Sequence, residues 1–469
     1  MLFDSPIYFV FLVPVVLAYW RLTHRQQNVF LLIASYFFYG WWDWRFLALM
    51  AGSTAMDFLV AKKIATCTER DRKKWFVFSL VLNFGILGVF KYFNFFVDSF
   101  ADALATLGFR DVPMPLIRIL LPPGISFYTF QEVAYIVDVY KGRIEPAKSI
   151  IDYSLFISLF PHLIAGPIQR PGHLLPQVQT ARVFDGDRFL DGMMLILSGL
   201  IRKCVVADNC ALLANAAFGG QLGPPNLWVV LIGTYAFAWQ VYGDFSGYSD
   251  IARGSAQLLG FHFMINFRQP YLSRRLQEFW RRWHISLSTW LRDYLYFPLG
   301  GSRGGKWKTG RNLVITMVLA GLWHGAAWTY VVFGAIQGVA LLIEHALFPL
   351  REKSEPEGFF SLWAQRIITF NVFCLTLLFF RAPSLGAAVQ MLGGLSDFSW
   401  RNEYLAAFGM LFLFSLPMLL VDLYLEHSGE EYPMARAPYA LRTASAVAAL
   451  VVLAIFSGSD TNAFIYFQF

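Results

Sequence analysis

Long uncharged stretches separated by short polar ones set the pattern of this chain. Thirteen such runs stand out, at 6–20, 28–42, 46–61, 75–97, 119–137, 150–168, 191–213, 226–243, 312–328, 330–347, 364–380, 404–425 and 439–456. They lack the two-residue alternation of lipid-facing strands, which rules out a β-barrel. A helical span takes roughly 20 apolar residues, and several runs are short or contain Pro or Gly. The expectation is therefore an all-α integral membrane protein with about ten to twelve crossings. The run 119–137 carries Pro122, Pro123 and Gly124, and 150–168 carries Pro161, Gly166 and Pro167. These two read as re-entrant or broken helices, which survive at membrane depth only when buried in protein. No internal repeat or low-complexity linker divides the chain, and 349–358 is a plain connecting loop. Residues 1–469 are read as one membrane-embedded domain.

Composition sharpens this picture. Hydrophobic residues make up 57% of the chain and charged ones 15%, against roughly 25% charged in a soluble domain. So much apolar surface needs a bilayer as its solvent. A nucleic-acid binder, a disordered chain and a disulfide scaffold are excluded. The run 6–20 has no basic residues before it and no small-residue cleavage site after it, so it reads as a retained first span. The four cysteines (67, 204, 210 and 374) form no C-x-x-C pair, and no metal site is expected.

Charge is unevenly placed. The window 268–311 holds ten Lys/Arg and two acids, a net +8 in a chain of net +7. A basic segment between hydrophobic spans reads as a cytoplasmic face, suited to anionic lipid heads or a phosphate-bearing substrate. Earlier in the chain, basic loops follow the first, third and fifth runs. Acidic residues (Asp43, Asp98, Asp102, Asp111) mark the loops between them. That alternation puts the N-terminus outside, and leaves the side of the C-terminus open.

The segment 312–347 is the most informative. No formal charge occurs between Leu313 and Ile343, and His324 is the ionisable group there. A continuous helix of that length would measure about 46 Å, against a hydrocarbon core of about 30 Å. The segment must bend or split, and the small residues of Gly321-Leu-Trp-His-Gly-Ala-Ala mark the place. Gly334-x-x-x-Gly338 adds a close-packing face. A histidine at such depth is costly and becomes a functional candidate. Low dielectric keeps the imidazole neutral, the form a general base requires. A structural histidine bonded to a neighbouring helix is the competing reading.

The segment 279–296 comes next. At 100° per residue, Trp280, Trp283, Leu287, Trp290, Leu291 and Tyr294 share one face, and Arg281, Arg282, Ser288, Thr289 and Arg292 lie on the other. This predicts one amphipathic interfacial helix. His284 falls on its apolar side, beside a basic face. Elsewhere, Asp244 and Asp250 of Asp244-Phe-Ser-Gly-Tyr-Ser-Asp250 are candidates to cap a helix, to orient a histidine, or simply to pair with Arg or Lys. His162 lies in a broken apolar run and is a candidate to line a cavity. His24, His173, His262, His345 and His427 read as ordinary surface or interface residues. No G-x-S-x-G elbow, Walker loop, dinucleotide glycine pattern or H-E-x-x-H is present.

Trp280-Arg-Arg-Trp-His-Ile-Ser-Leu-Ser-Thr-Trp-Leu-Arg-Asp-Tyr-Leu-Tyr and Gly321-Leu-Trp-His-Gly-Ala resemble the membrane-bound O-acyltransferase family. Within it the chain is most similar to the bacterial alginate O-acetylase branch. Tyr36-Phe-Phe-Tyr-Gly-Trp-Trp, Leu121-Pro-Pro-Gly-Ile-Ser-Phe-Tyr, Phe160-Pro-His-Leu-Ile-Ala-Gly-Pro and the closing Tyr466-Phe-Gln-Phe support the same branch. The resemblance implies a multi-spanning helical ring around a central tunnel, with the acyl donor entering from the cytoplasm. It implies His324 as the family's deeply buried histidine and His284 as its second. Some members carry Asn at the second place, which suggests a supporting role that orients the donor carbonyl or the acceptor.

The expected activity is transfer of acetyl, with acetyl-CoA as donor, to a hydroxyl of a secreted polysaccharide or to a periplasmic relay acetyltransferase, at the bacterial inner membrane. His324 and His284 are the expected catalytic residues, and Arg281, Arg282, Trp283 and Arg292 the expected donor-binding ones. No metal is expected, and the partners are periplasmic acetyltransferases and the lipid bilayer, with no nucleic acid. Some alginate acetylases carry a longer polar stretch before the last span. Here only about 427–438 stands in that place, so cellulose or another exopolysaccharide or cell-wall polymer is the next acceptor. A polysaccharide exporter is the alternative of another class, since broken spans also suit a transporter.

Overall fold

The computed structural model describes residues 1–109, 117–164, 166–347 and 358–457. Asp111, most of the loop 349–358 and the closing aromatic tail lie outside those residues. Among the described residues every regular element is a helix. The chain falls into two compact units. The first holds Ser5–Asp185 and Leu259–Phe263, and the second Leu2–Asp4, Gly186–Leu258 and Met264–Phe469.

The first unit contains α1 (Pro6–Tyr19), α2 (His24–Gly40), α3 (Trp44–Thr66), α4 (Glu69–Leu87), α5 (Phe93–Thr106), α6 (Ile125–Tyr140), α7 (Ile150–Ser158), α8 (Phe160–Leu163) and α9 (Pro171–Gln179). α6 is its central helix, with every side chain from Ile125 to Val139 buried. Pro122, Pro123 and Gly124 do not break this helix; they start it. Gly124 takes φ +72°, and a side chain there would strike the carbonyl of Leu163 at 2.6 Å. The 150–168 run does break. α7 stops at Ser158 and one turn of α8 follows, starting where Ser35 Oγ accepts from Phe160 N–H at 3.1 Å.

The second unit contains α10 (Gly186–Leu200), α11 (Asp208–Phe218), α12 (Leu227–Leu258), α13 (Leu276–Arg282), α14 (Ile285–Leu291), α15 (Lys306–His324), α16 (Trp328–Leu347), α17 (Phe359–Arg381), α18 (Leu385–Gly393), α19 (Glu403–Ser428) and α20 (Tyr439–Phe456). α10 and α12 touch backbone to backbone. Methyls on Gly254 or Gly247 would run into the carbonyls of Gly192 and Gly199, a small-residue contact repeated after two turns. Asp244 and Asp250 sit inside α12, so neither caps a helix start. Lys203 holds Asp208 and Asp244 at 2.8 Å each. Asp250 meets Arg202 at 3.7 Å and Arg253 at 3.5 Å. Pairing with bases, one of the three readings above, is what the fold uses.

Among the described residues, five helical segments are long and apolar enough to cross a membrane: Glu69–Thr106, Trp328–Leu347, Phe359–Arg381, Glu403–Ser428 and Tyr439–Phe456. Other apolar helices, such as Pro6–Tyr19, are shorter. Helices such as α6 and α12 are buried in protein, so they tolerate polar residues and need not present an apolar surface all round. Large apolar side chains are exposed along α1, α4, α17, α19 and α20, among them Val10, Val81, Ile368, Phe412 and Val451. In water such a surface would aggregate; against lipid chains it is solvated.

Candidate active site

The split in 312–347 falls at the small residues. α15 ends at His324, Gly325 is extended, and α16 begins at Trp328. The two helices form a tight hairpin. A side chain on Gly338 would meet Val314 Cα at 2.9 Å, and one on Gly321 or Gly334 would overlap the opposing backbone. This close approach fixes the end of α15, and with it the imidazole of His324. The ring packs against Trp323 (centroids 4.9 Å apart) and Phe380 (5.2 Å) and is 6% exposed.

The predicted single helix over 279–296 is instead two short ones. α13 ends at Arg282 and α14 begins at Ile285. Between them His284 takes φ +41°, in the left-handed region. The wheel of six aromatic and aliphatic residues therefore does not form one continuous stripe. The break turns His284 inward until it is 1% exposed, with its ring on Phe245 (4.6 Å) and Trp323 (5.7 Å). Trp323 thus sits against both histidines. Burial pushes the His284 imidazole well below its ordinary range, and His324 acts in the same direction. Strained backbone of this kind persists only where the surroundings over-determine it. Here the segment 266–268 does so: Ile285 N–H donates to the Asn266 carbonyl (2.9 Å), and Arg268 N–H to that of Arg282 (3.0 Å).

A cavity of about 550 Å³ joins these parts, lined from α13 to α16. His324 and His284 face it, with Arg281, Trp283 and Arg292. Arg281 and Arg292 are exposed while both histidines are buried, so the cavity runs from a basic surface to a buried imidazole pair. Leu287, Leu313, Met317 and Leu341 give it an apolar wall. Arg292 opens a π-helical turn, Arg292–Tyr296, and pairs with Asp293 at 2.8 Å. Arg281 makes no ion pair among the described residues.

Arg282 stands apart from the other five. It does not line the cavity, and its guanidinium is held by Glu278 and Glu426 at 2.7 Å each. That double pairing fills the donors a phosphate would need. His162 is also elsewhere. It is sealed in the core of the first unit, with its nitrogens 3.0 Å from Gln131 Nε2 and 3.1 Å from the Phe156 carbonyl.

Glu344 and Gln337 escaped the sequence reading. His345, read above as an ordinary surface or interface residue, is exposed and lines the cavity beside Glu344. Glu344 reaches from α16 to cap α13, accepting from Leu276 N–H at 2.7 Å and Gln277 N–H at 3.1 Å. One face of α16 also carries Gln337, which accepts from Trp280 Nε1 at 3.2 Å and donates to Thr376 at 2.7 Å. Gln337 and Glu344 are two turns apart on a largely apolar helix. That was the available signal, since polar groups on such a face need buried partners.

The pattern of the membrane-bound O-acyltransferase family matches residues 145–382, and so covers both histidines and all four donor candidates. The chain belongs to that family. Membrane-bound O-acyltransferases are enzymes, and this membership decides for an enzyme over an exporter. The chain is 42% identical over 406 residues to the probable alginate O-acetylase of Pseudomonas aeruginosa, covering 86% of this chain and 76% of that one. It is 33% identical to the peptidoglycan O-acetyltransferase of Helicobacter pylori, covering 84% and 80%. Against the teichoic acid D-alanyltransferase of Streptococcus thermophilus it is 29% identical, covering 57% and 73%. The protein is thus a multi-pass membrane O-acyltransferase.

Proposed function

We propose that this chain acetylates a polysaccharide at the bacterial inner membrane. Acetyl moves from a cytoplasmic thioester, acetyl-CoA, to a hydroxyl of a secreted polymer, alginate first, or to a periplasmic relay acetyltransferase that serves it. The observation that carries the reading is the cavity from exposed Arg281 and Arg292 to buried His324 and His284, in a chain so similar to alginate O-acetylases.

The chemistry follows from the side chains. A hydroxyl is a weak nucleophile until a base takes its proton in the transition state. His324 takes that proton while the hydroxyl oxygen bonds to the thioester carbonyl carbon. The carbon–sulfur bond breaks, and the proton passes to the leaving thiolate, so no net proton is consumed. Arg281 and Arg292 hold the donor's phosphates at the cavity mouth, and Trp283 packs beside them. The apolar wall limits hydrolysis of the thioester. A cell-wall glycan is the second reading, favoured by the 33% identity to a peptidoglycan O-acetyltransferase.

The test is mass spectrometry of the secreted polymer with and without the protein, paired with thioester consumption by purified protein. Loss of acetyl esters from alginate on deletion supports the first reading. Unchanged alginate with under-acetylated cell wall selects the second, and no acetyl transfer of either kind overturns both.

A further inference from the structure

The imidazole of His284 is held in one tautomer, and the atom that holds it is identifiable. Asn266 Oδ1 lies 3.3 Å from Ser286 backbone N and 2.7 Å from Ser286 Oγ. A backbone N–H can only donate, so the Asn266 atom facing it is the carbonyl oxygen and the amide cannot be flipped. On its other side, Asn266 Nδ2 donates to Ser249 Oγ at 3.1 Å. His284 Nδ1 stands 3.3 Å from the same Oδ1. Facing an oxygen that only accepts, Nδ1 carries the proton, and in a neutral ring Nε2 then carries the lone pair. Nε2 is buried and has no hydrogen-bond partner among the described residues, in a ring that lines the cavity.

We infer that Asn266 is a positioning residue for acyl transfer, holding His284 as the Nδ1–H tautomer so that Nε2 receives a hydrogen bond from an O–H of the acceptor. The role rests on the acyl-transfer reading and narrows it. A lone pair cannot donate to a thioester carbonyl, so His284 orients the acceptor and not the donor. The reacting hydroxyl has one proton, which the mechanism gives to His324. The O–H that meets His284 is then a second hydroxyl on the acceptor, such as a sugar supplies.

The tautomer is read on the purified protein by ¹⁵N-histidine NMR, with His284→Gln assigning the signal. This needs neither donor nor acceptor, so it stands or falls apart from the proposed activity. Wild type is expected as Nδ1–H, and Asn266→Leu as a mixture or Nε2–H. With transfer assayed, Asn266→Leu is expected to lower kcat at least about ten-fold, as wrong-tautomer variants do, at unchanged donor KM. Asn266→Asp keeps the accepting oxygen and guards against misfolding. It should retain the tautomer and move the acid limb of the kcat profile upward, because a carboxylate stabilises the imidazolium. His324 acts on this ring from α15, and Arg281, Arg292, Glu344 and His345 are the other titratable groups named on the cavity, with Tyr296. A wild-type His284 protonated on Nε2, an unchanged tautomer in Asn266→Leu, or an Asn266→Asp profile identical to wild type would overturn the assignment.

Discussion

His324 ends a helix, packs on two aromatic rings and faces a cavity, so its removal separates two roles cleanly. If it is the base, His324→Ala should lower acetyl transfer by about 10²–10⁴-fold in a protein that still inserts and elutes as a single species. A merely several-fold loss would mark a structural residue. The arginines divide in the same way. Arg281 is exposed at the cavity and makes no ion pair among the described residues, so Arg281→Gln should raise the donor KM and weaken its dependence on salt. Arg282 is clamped by Glu278 and Glu426. Arg282→Gln should instead lower the melting temperature in detergent and leave the donor KM near wild type. Equal KM effects in the two variants would refute the division. Sequence spacing put both arginines on one basic face. The distinction was illegible there because Glu426 lies 144 residues away.

Helices explain which parts of the site were legible. The end of α15 was, because Gly321, Gly325, Gly334 and Gly338 announce both a break and a close approach. The break at Trp283–His284 was not, because no glycine or proline marks it. Its left-handed residue is a histidine, held by bonds from the distant segment 266–268. The long runs gave the helical class, but not which helices lie inside protein, since burial by a neighbour and burial by lipid look alike in hydropathy. The hairpin yields a contrast. Gly334→Leu places a side chain in the backbone of α15, and overpacking of that kind costs about 1–3 kcal/mol or more. It should abolish transfer together with thermal stability. Gly52→Ala, which meets nothing within 4 Å, should be neutral or stabilising. The cap from Glu344 is a finer test. Glu344→Ala should cost roughly 0.5–2 kcal/mol, as lost helix caps do, and lower kcat by loosening the start of α13, whose far end leads into His284. Glu344→Gln, which keeps an acceptor, should retain part of both.

At the scale of the molecule, charge predicts which way the site faces. The window 268–311 carries net +8 while the rest of the chain is near neutral, and translocating such a segment is disfavoured. The cavity's exposed arginines belong to this window, as do Ser302 and Arg303. A thioester donor carrying phosphates is a cytoplasmic metabolite, so donor binding and membrane topology must agree. The measurement is labelling of a single cysteine at Ser302, with the four native cysteines replaced, by a membrane-impermeant maleimide. In inside-out vesicles Ser302→Cys should react, and acetyl-CoA should slow the reaction, because residue 302 lines the cavity. In intact spheroplasts it should stay unmodified. Labelling from the outer face would place the basic mouth in the periplasm, where no CoA thioester is supplied. The arginines would then not hold the donor, which would have to reach His324 by another route.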